Sequence, residues 1–350
     1  MKLIYVGCRT SPERGGHGKG IAIFHVGEAG DWQPFQTCET LPNPSYLCMD
    51  RHEDFLYTVH GDRSEISAFR IENNGALSYL NTVCSGGTNP VHLTVSHDNR
   101  WIFVANLQTG CVAVHARQHD GRLLPAHGLY FIAGNGGPGH ISHPHQVTLD
   151  QSGRFLIVSA QGRTQGVGQV TVFELDSENG TLKNVCAVKA RAIAEPRHGV
   201  VSPDNHFFYG VNEKDYTVTE YSFDAQTGQI SPRRILQTLP EDYVSDGWAS
   251  GIALDSQGRY LYISDRKRDC VTVFSIDAQY GSLTRVGESS SYGKQPRFIS
   301  VSADDTELIV ANELSDNIVC LPIAPSSGLL GHPAKIIGTG SPVCVVEKIF

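Results

Sequence analysis

The sequence predicts an all-β protein, a seven-bladed β-propeller closed into a ring by pairing its C-terminal strand with its N-terminal strands. Three observations carry that expectation. Charged residues make up only 18% of the 350-residue chain, which also holds 36 glycines and 17 prolines, a turn-rich composition suited to many short strands. A glycine, any residue and an apolar residue follow a strand-like run seven times, at Gly30, Gly75, Gly121, Gly180, Gly228, Gly281 and Gly328, about 50 residues apart. A second landmark also appears seven times: NPSYLCMD, NPVHLTVS, HPHQVTLD, EPRHGVVS, WASGIALD, QPRFISVS and SPVCVVEK, starting at residues 43, 89, 143, 195, 248, 295 and 341.

Each unit reads in the same order. The landmark, proline-headed in all but WASGIALD, opens a first strand of alternating apolar residues. A polar turn such as DQSGR, SPDNH or DSQGR follows, and FLIVSA, FFYGVN or YLYISD forms a second strand. A third, such as VFEL, YSF or VFSI, runs to the repeated glycine, whose access to positive φ suits a hairpin into the fourth. Four antiparallel strands are the size of one blade. The chain ends complete the count, with SPVCVVEKIF giving the first strand of the seventh unit and MKLIYVGC and GIAIFHV its later ones. Closure leaves no open edge to aggregate, and residues 1–350 are expected to form one domain. Two packed β-sandwiches suit seven equal units poorly.

Composition excludes several classes of function. Lys+Arg total 28 against 36 Asp+Glu, a formal charge of −8, which offers no basic face for nucleic-acid phosphates. No stretch approaches the apolar length of a membrane span, and the run in MKLIYVGC is too short for a signal peptide. Nine cysteines without a C-x-x-C pair suggest neither a zinc site nor a disulfide framework, and fit a reducing compartment. The expectation is a cytoplasmic monomer or homodimer. GNGGPG at 134–139 contains Pro138 and leads into HISHPH instead of a helix, so it fails as a dinucleotide fingerprint; RGGHGKG fails as a phosphate-binding loop. With no G-x-S-x-G elbow and no metal-ligand spacing, no metal and no cofactor are expected.

The repeat also places side chains. Within a hairpin the start of the first strand lies beside the end of the second, and equivalent repeat positions share one height and radius about the axis. The position after the landmark proline is Ser45, Val91, His145, Arg197, Ser250, Arg297 and Val343; the second strands end at Arg9, Gly61, Leu107, Gln161, Glu213, Arg266 and Glu313. Two rings on one rim therefore gather ionisable groups at the channel mouth, a funnel suited to an anionic small molecule and to acid/base work. His143, just ahead of Pro144, and Trp248 stand at its edge. His198, the neighbour of Arg197, is expected to point to the other side of its strand.

GIAIFHV, NPSYL, HPHQVTLD, EPRHGVVSPDNHFFYGVNE, GIALDSQGRYLYISDR and QPRFISVS together resemble the lactonase family of seven-bladed propellers, over essentially the whole chain. That family contains cytoplasmic 6-phosphogluconolactonases and fungal 3-carboxy-cis,cis-muconate lactonising enzymes. By motif, the resemblance implies catalytic roles for His145 in HPH, Arg197 in PRH, Glu213 in NE and Arg266 in DR. The two rings and the rim add His143, Arg297, Glu313, Gln161, Arg9 and Trp248 as substrate-binding residues. Three departures stand out: SAQGRTQGVGQV where relatives commonly show Asp-Leu-Gly, Gly251 where an acidic residue is frequent, and VHG where VNE is usual.

The function implied is hydrolysis of an anionic sugar-acid lactone, 6-phosphogluconolactonase-like. Arginines hold a phosphate or carboxylate and the developing oxyanion, and His145 or Glu213 accepts a proton from water. A lactonising cycloisomerase of the carboxymuconate type needs the same cationic funnel. A non-catalytic binding module is the third reading, and calls for apolar or aromatic clusters on a rim in place of convergent charges.

Overall fold

The computed structural model describes residues 1–134, 139–163 and 168–350. GNGGPG and the extra residues of SAQGRTQGVGQV lie partly outside the described residues. Seven four-stranded antiparallel sheets follow one another along the chain. Their innermost strands are Pro44–Met49, Pro90–Val95, His143–Leu149, Pro196–Val201, Ala249–Leu254, Pro296–Val301 and Pro342–Ile349, which open blades one to seven. Each inner strand touches the next, and the seventh touches the first, so the sheets close a ring about an axial channel. Blade seven joins the chain ends: Pro342–Ile349 pairs with Lys2–Cys8, from Lys2 opposite Ile349 to Cys8 opposite Pro342. Among the described residues the only helices are two short 3-10 turns, Pro12–Arg14 and Glu313–Ser315.

The repeated glycine serves two purposes at once. All seven lie at positive φ, between 62° and 87°, between the third and fourth strands of their blades. Most also receive a side chain from the preceding blade. A Cβ on Gly121 would stand 2.1 Å from the Phe55 ring, on Gly180 2.4 Å from Trp101, on Gly228 2.4 Å from Phe155 and on Gly328 2.3 Å from Tyr260. Tyr5, Tyr57, Tyr209 and Tyr262 stitch the same joint by donating their hydroxyls to the carbonyls of Gly75, Gly121, Gly281 and Gly328 at 2.8–3.0 Å. Apolar clusters lie between neighbouring blades, as where Trp101 and Phe103 meet Val147, Leu156 and Phe173. Burying each large side chain of this kind stabilises the ring by roughly 1.5–3 kcal/mol.

The inner strands share a defect that sets up the site. In blade one the ladder runs from Pro44↔His60 directly to Tyr46↔Val59, skipping Ser45. Val91, His145, Arg197, Arg297 and Val343 are skipped in the same way, and Ser250 with Gly251 lies in the corresponding irregularity of blade five. These are the seven residues of the first ring. Each is a β-bulge, which re-aims a side chain out of the regular alternation.

Candidate active site

The residue ahead of the proline takes a left-handed conformation in five blades: Asn43, Asn89, Glu195, Gln295 and Ser341, with φ between 41° and 60°. Its carbonyl accepts the N–H of Gly61, Leu107, Glu213, Glu313 or Arg9, respectively, at 2.9–3.1 Å. The Trp248 carbonyl accepts the Arg266 N–H in blade five, and His143 pairs with Gln161 in blade three. Backbone hydrogen bonds thus tie the second ring to the first in every blade.

Glu213 is the hub on one side of the axis. Its Oε2 lies 3.4 Å from Arg197 Nε and 3.4 Å from Arg266 Nη2 and accepts from Gln161 Nε2 at 2.9 Å. Its Oε1 accepts from Trp248 Nε1 at 2.7 Å. The Arg266 guanidinium stacks on the Trp248 ring at 4.0 Å, and Lys214 approaches that ring at 5.0 Å. Arg197 is 3% exposed and donates through Nη1 to the Ser250 carbonyl at 2.9 Å. Ser250 in turn donates to the Arg297 carbonyl.

Burial alone would raise the Glu213 carboxyl, but Arg266 and Arg197 overcome it and hold the group far below the usual carboxylate range. Burial lowers Arg266 to about 10. Arg197 is pushed well below the usual guanidinium value by burial and by Arg266 and Arg297. His145, buried beside them, is pushed well below the ordinary histidine value by burial first and Arg197 second, with Glu213 opposing. Its imidazole is neutral, and its buried Nδ1 has no hydrogen-bond partner.

A second cluster sits on the opposite flank. Glu313 Oε2 lies 3.4 Å from Arg297 Nη1, and Oε1 lies 3.9 Å from Arg9 Nε. Gln295 donates to Glu313 at 2.8 Å. Arg9 also pairs with Asp62 at 3.3 Å. Arg9, Ser45, Val91, His145, Arg197, Arg297 and Val343 surround an axial cavity of about 20 Å³, with Tyr46, His198 and Phe298 completing its wall.

These aromatic and imidazole rings separate the charged mouth from a cavity of about 760 Å³ at the other end of the channel, which Tyr46, His92 and Phe298 also border. The larger cavity is not the better candidate. Several of its polar side chains are committed to the fold: Arg51 donates to the Val95 carbonyl, Asp150 accepts from Ser152, Asn205 and the Phe155 N–H, and Gln151 donates to Val201 and Ser202. We place the site where partially satisfied charges converge.

A family model described as a lactonase seven-bladed β-propeller matches residues 3–347. The chain belongs to the lactonase family of seven-bladed propellers. It is 28% identical over 299 residues to the 6-phosphogluconolactonase of Erwinia tasmaniensis, covering 85% of this chain and 86% of that one. It is 24% identical over 345 residues to the 6-phosphogluconolactonase of Bacillus subtilis, covering 97% of each. A solved Lactobacillus plantarum protein superposes over 100% of both chains with a TM-score of 0.89 at 26% identity. The Pseudomonas aeruginosa periplasmic gluconolactonase shares the fold, with a TM-score of 0.88 at 24% identity over 99% of this chain and 98% of that one.

Within this lactonase-family propeller, His145, Arg197, Glu213, Arg266, Gln161 and Trp248 form one connected group, and Arg9, Arg297 and Glu313 the adjoining one. His143 is separate. Its Nδ1 bonds the Leu107 carbonyl at 2.8 Å, which anchors blade three to blade two. His198 departs from expectation. The bulge at Arg197 breaks the alternation, so His198 also faces the axis, its ring 5.1 Å from His145 and 5.5 Å from His92. Tyr46, His92, His198 and Phe298 occupy one register, directly after the first ring. Their common offset from the landmark was the signal for this third ring.

Proposed function

We propose that this mouth hydrolyses an anionic sugar-acid lactone of the 6-phosphogluconolactone type. The observation that carries the reading is a neutral, buried His145 without a partner on Nδ1, beside a carboxylate clamped between two arginines. Relatives named 6-phosphogluconolactonase support the substrate class.

His145 accepts a proton from the attacking water as its oxygen bonds to the lactone carbonyl carbon. Arg197 and Arg266 stabilise the oxyanion that forms. Collapse breaks the bond to the ring oxygen, which takes the proton back from the imidazolium, leaving the open hydroxy acid. Glu213 is a poor base: it is ionised, and four side-chain donors or cations occupy its oxygens. It positions the arginines and offsets the imidazolium charge. The 20 Å³ axial cavity is too small for a sugar ring, so the lactone sits in the open mouth above it. All nine cysteines are unpaired, which supports a reducing, cytoplasmic setting.

Acid release measured by pH-stat on 6-phosphoglucono-δ-lactone tests the reading. His145→Gln is expected to lower kcat by 10²–10⁴-fold, the usual contribution of a general base, with KM changed far less. Wild-type protein that opens no phosphorylated, carboxylated or neutral lactone, yet consumes a conjugated muconate diene, would instead be a cycloisomerase.

A further inference from the structure

Two arginine–glutamate–arginine groups stand at the mouth, and they are the same device placed twice. In blades four and five it is Arg197, Glu213 and Arg266; in blades six and seven it is Arg297, Glu313 and Arg9. The first arginine comes from the bulge of the inner strand, the glutamate from the residue just after the second strand, and the last arginine from the equivalent position in the next blade. The first group carries one more positive than negative charge; in the second, Arg9 also pairs with Asp62, which balances the charge.

The small axial cavity lies where they meet. Arg9, Arg197 and Arg297 line it together with His145, and among the described residues no carboxylate does. Arg9 and Arg197 are 4% and 3% exposed. Their Nε atoms are within ion-pair reach of Glu313 and Glu213, but Arg9 Nε is too distant and Arg197 Nε is not aligned for a hydrogen bond, and both are buried without an acceptor. Buried donors of this kind are costly to leave unmatched, most of all when charged. Neutral histidines and apolar side chains make up much of the remaining wall. About 20 Å³ exceeds the 10–15 Å³ that one water-sized occupant requires.

We propose that this axial cavity is an anion seat, taking a single negatively charged atom: a halide ion, or one anionic oxygen of a larger molecule standing in the mouth. The seat is defined by its own geometry and does not depend on lactone hydrolysis. A monatomic anion there offsets the repulsion among the three guanidinium groups that line the wall. Water fills the space but leaves that repulsion in place.

Chloride-35 NMR line broadening reads occupancy directly, with sodium chloride as the probe. Wild-type protein is expected to broaden the chloride line in proportion to its concentration. Arg297→Gln, which removes one wall charge, and Val343→Leu, which fills the space without removing a charge, are each expected to lose most of that broadening while circular dichroism shows them folded. Adding 6-phosphogluconate separates the two sources. A line that narrows shows that an organic anion's oxygen takes the same seat; a line that stays broad marks an independent halide site. Bromide soaked into wild-type crystals should give an anomalous peak on the axis between Arg9 and Arg197, a result that needs no variant to fold. No excess broadening with no axial bromide peak overturns the proposal, as does equal broadening in wild type and the folded Val343→Leu protein.

Discussion

Glu213 and His145 are close neighbours with opposite protonation habits, and burial is the first cause acting on both. Burial disfavours charge on either group, but Glu213 has two guanidinium groups to offset the cost, whereas His145 faces the same cations with like sign. The carboxylate therefore stays charged and the imidazole stays neutral. The pH profile follows from this. The acid limb of kcat/KM, set by protonation of free His145, should fall below the ordinary histidine range, so activity should stay level as pH falls from 8 through 6.5. Glu213 raises the His145 value, so Glu213→Gln should shift that limb further toward acid while lowering kcat, because the imidazolium loses its counter-charge. A limb near pH 6.5 in wild type, or one that moves toward base in Glu213→Gln, rules out His145 as the titrating base.

At the scale of the blade, one glycine meets two demands. Gly180 has φ 66°, and a Cβ there would sit 2.4 Å from the Trp101 ring. Gly180→Ala combines left-handed strain with overpacking, and should cost about 2–4 kcal/mol in chemical denaturation. Gly338→Ala is the control: its Cβ would have open space and should fall within about 0.5 kcal/mol of wild type. Equal effects would mean that the joint between blades two and three yields easily. The same glycines made the blade count legible in the sequence, because backbone geometry and close approach both exclude other residues. The proline landmarks were equally legible and placed Arg197, Arg297 and His145 in one ring. What they did not reveal was the bulge. Strict alternation sends His198 away from Arg197, but one unpaired residue in the ladder turns both to the axis. Nor did spacing separate His143, whose side chain finds a backbone carbonyl in the adjacent blade, from His145.

For the molecule as a whole, the axial histidines make folding sensitive to acid. Burial, followed by Arg197, lowers His92 to about 3, and His145 and His198 shift in the same direction. The unfolded chain binds protons at these positions below about pH 6.5, whereas the folded ring does not. Stability is therefore fully present above that pH and declines as pH falls toward 3, by about 1.4 kcal/mol per pH unit for each such histidine. Urea denaturation at pH 7.5, 6 and 5 should show this decline, and His92→Phe should make it shallower by about one histidine's share. An unchanged slope in a folded His92→Phe protein would mean that His92 protonates in the native state.

The seventh blade carries a consequence for biosynthesis. Arg9 directly follows Lys2–Cys8, which precedes the other six blades in the chain, yet the sheet partner of that strand, Pro342–Ile349, follows all of them. A growing chain can assemble blades one to six in order, but it cannot wall the axial opening with Arg9 until the last strand docks. The nascent chain is therefore expected to stay without its full set of cations until Pro342–Ile349 has been made and docked.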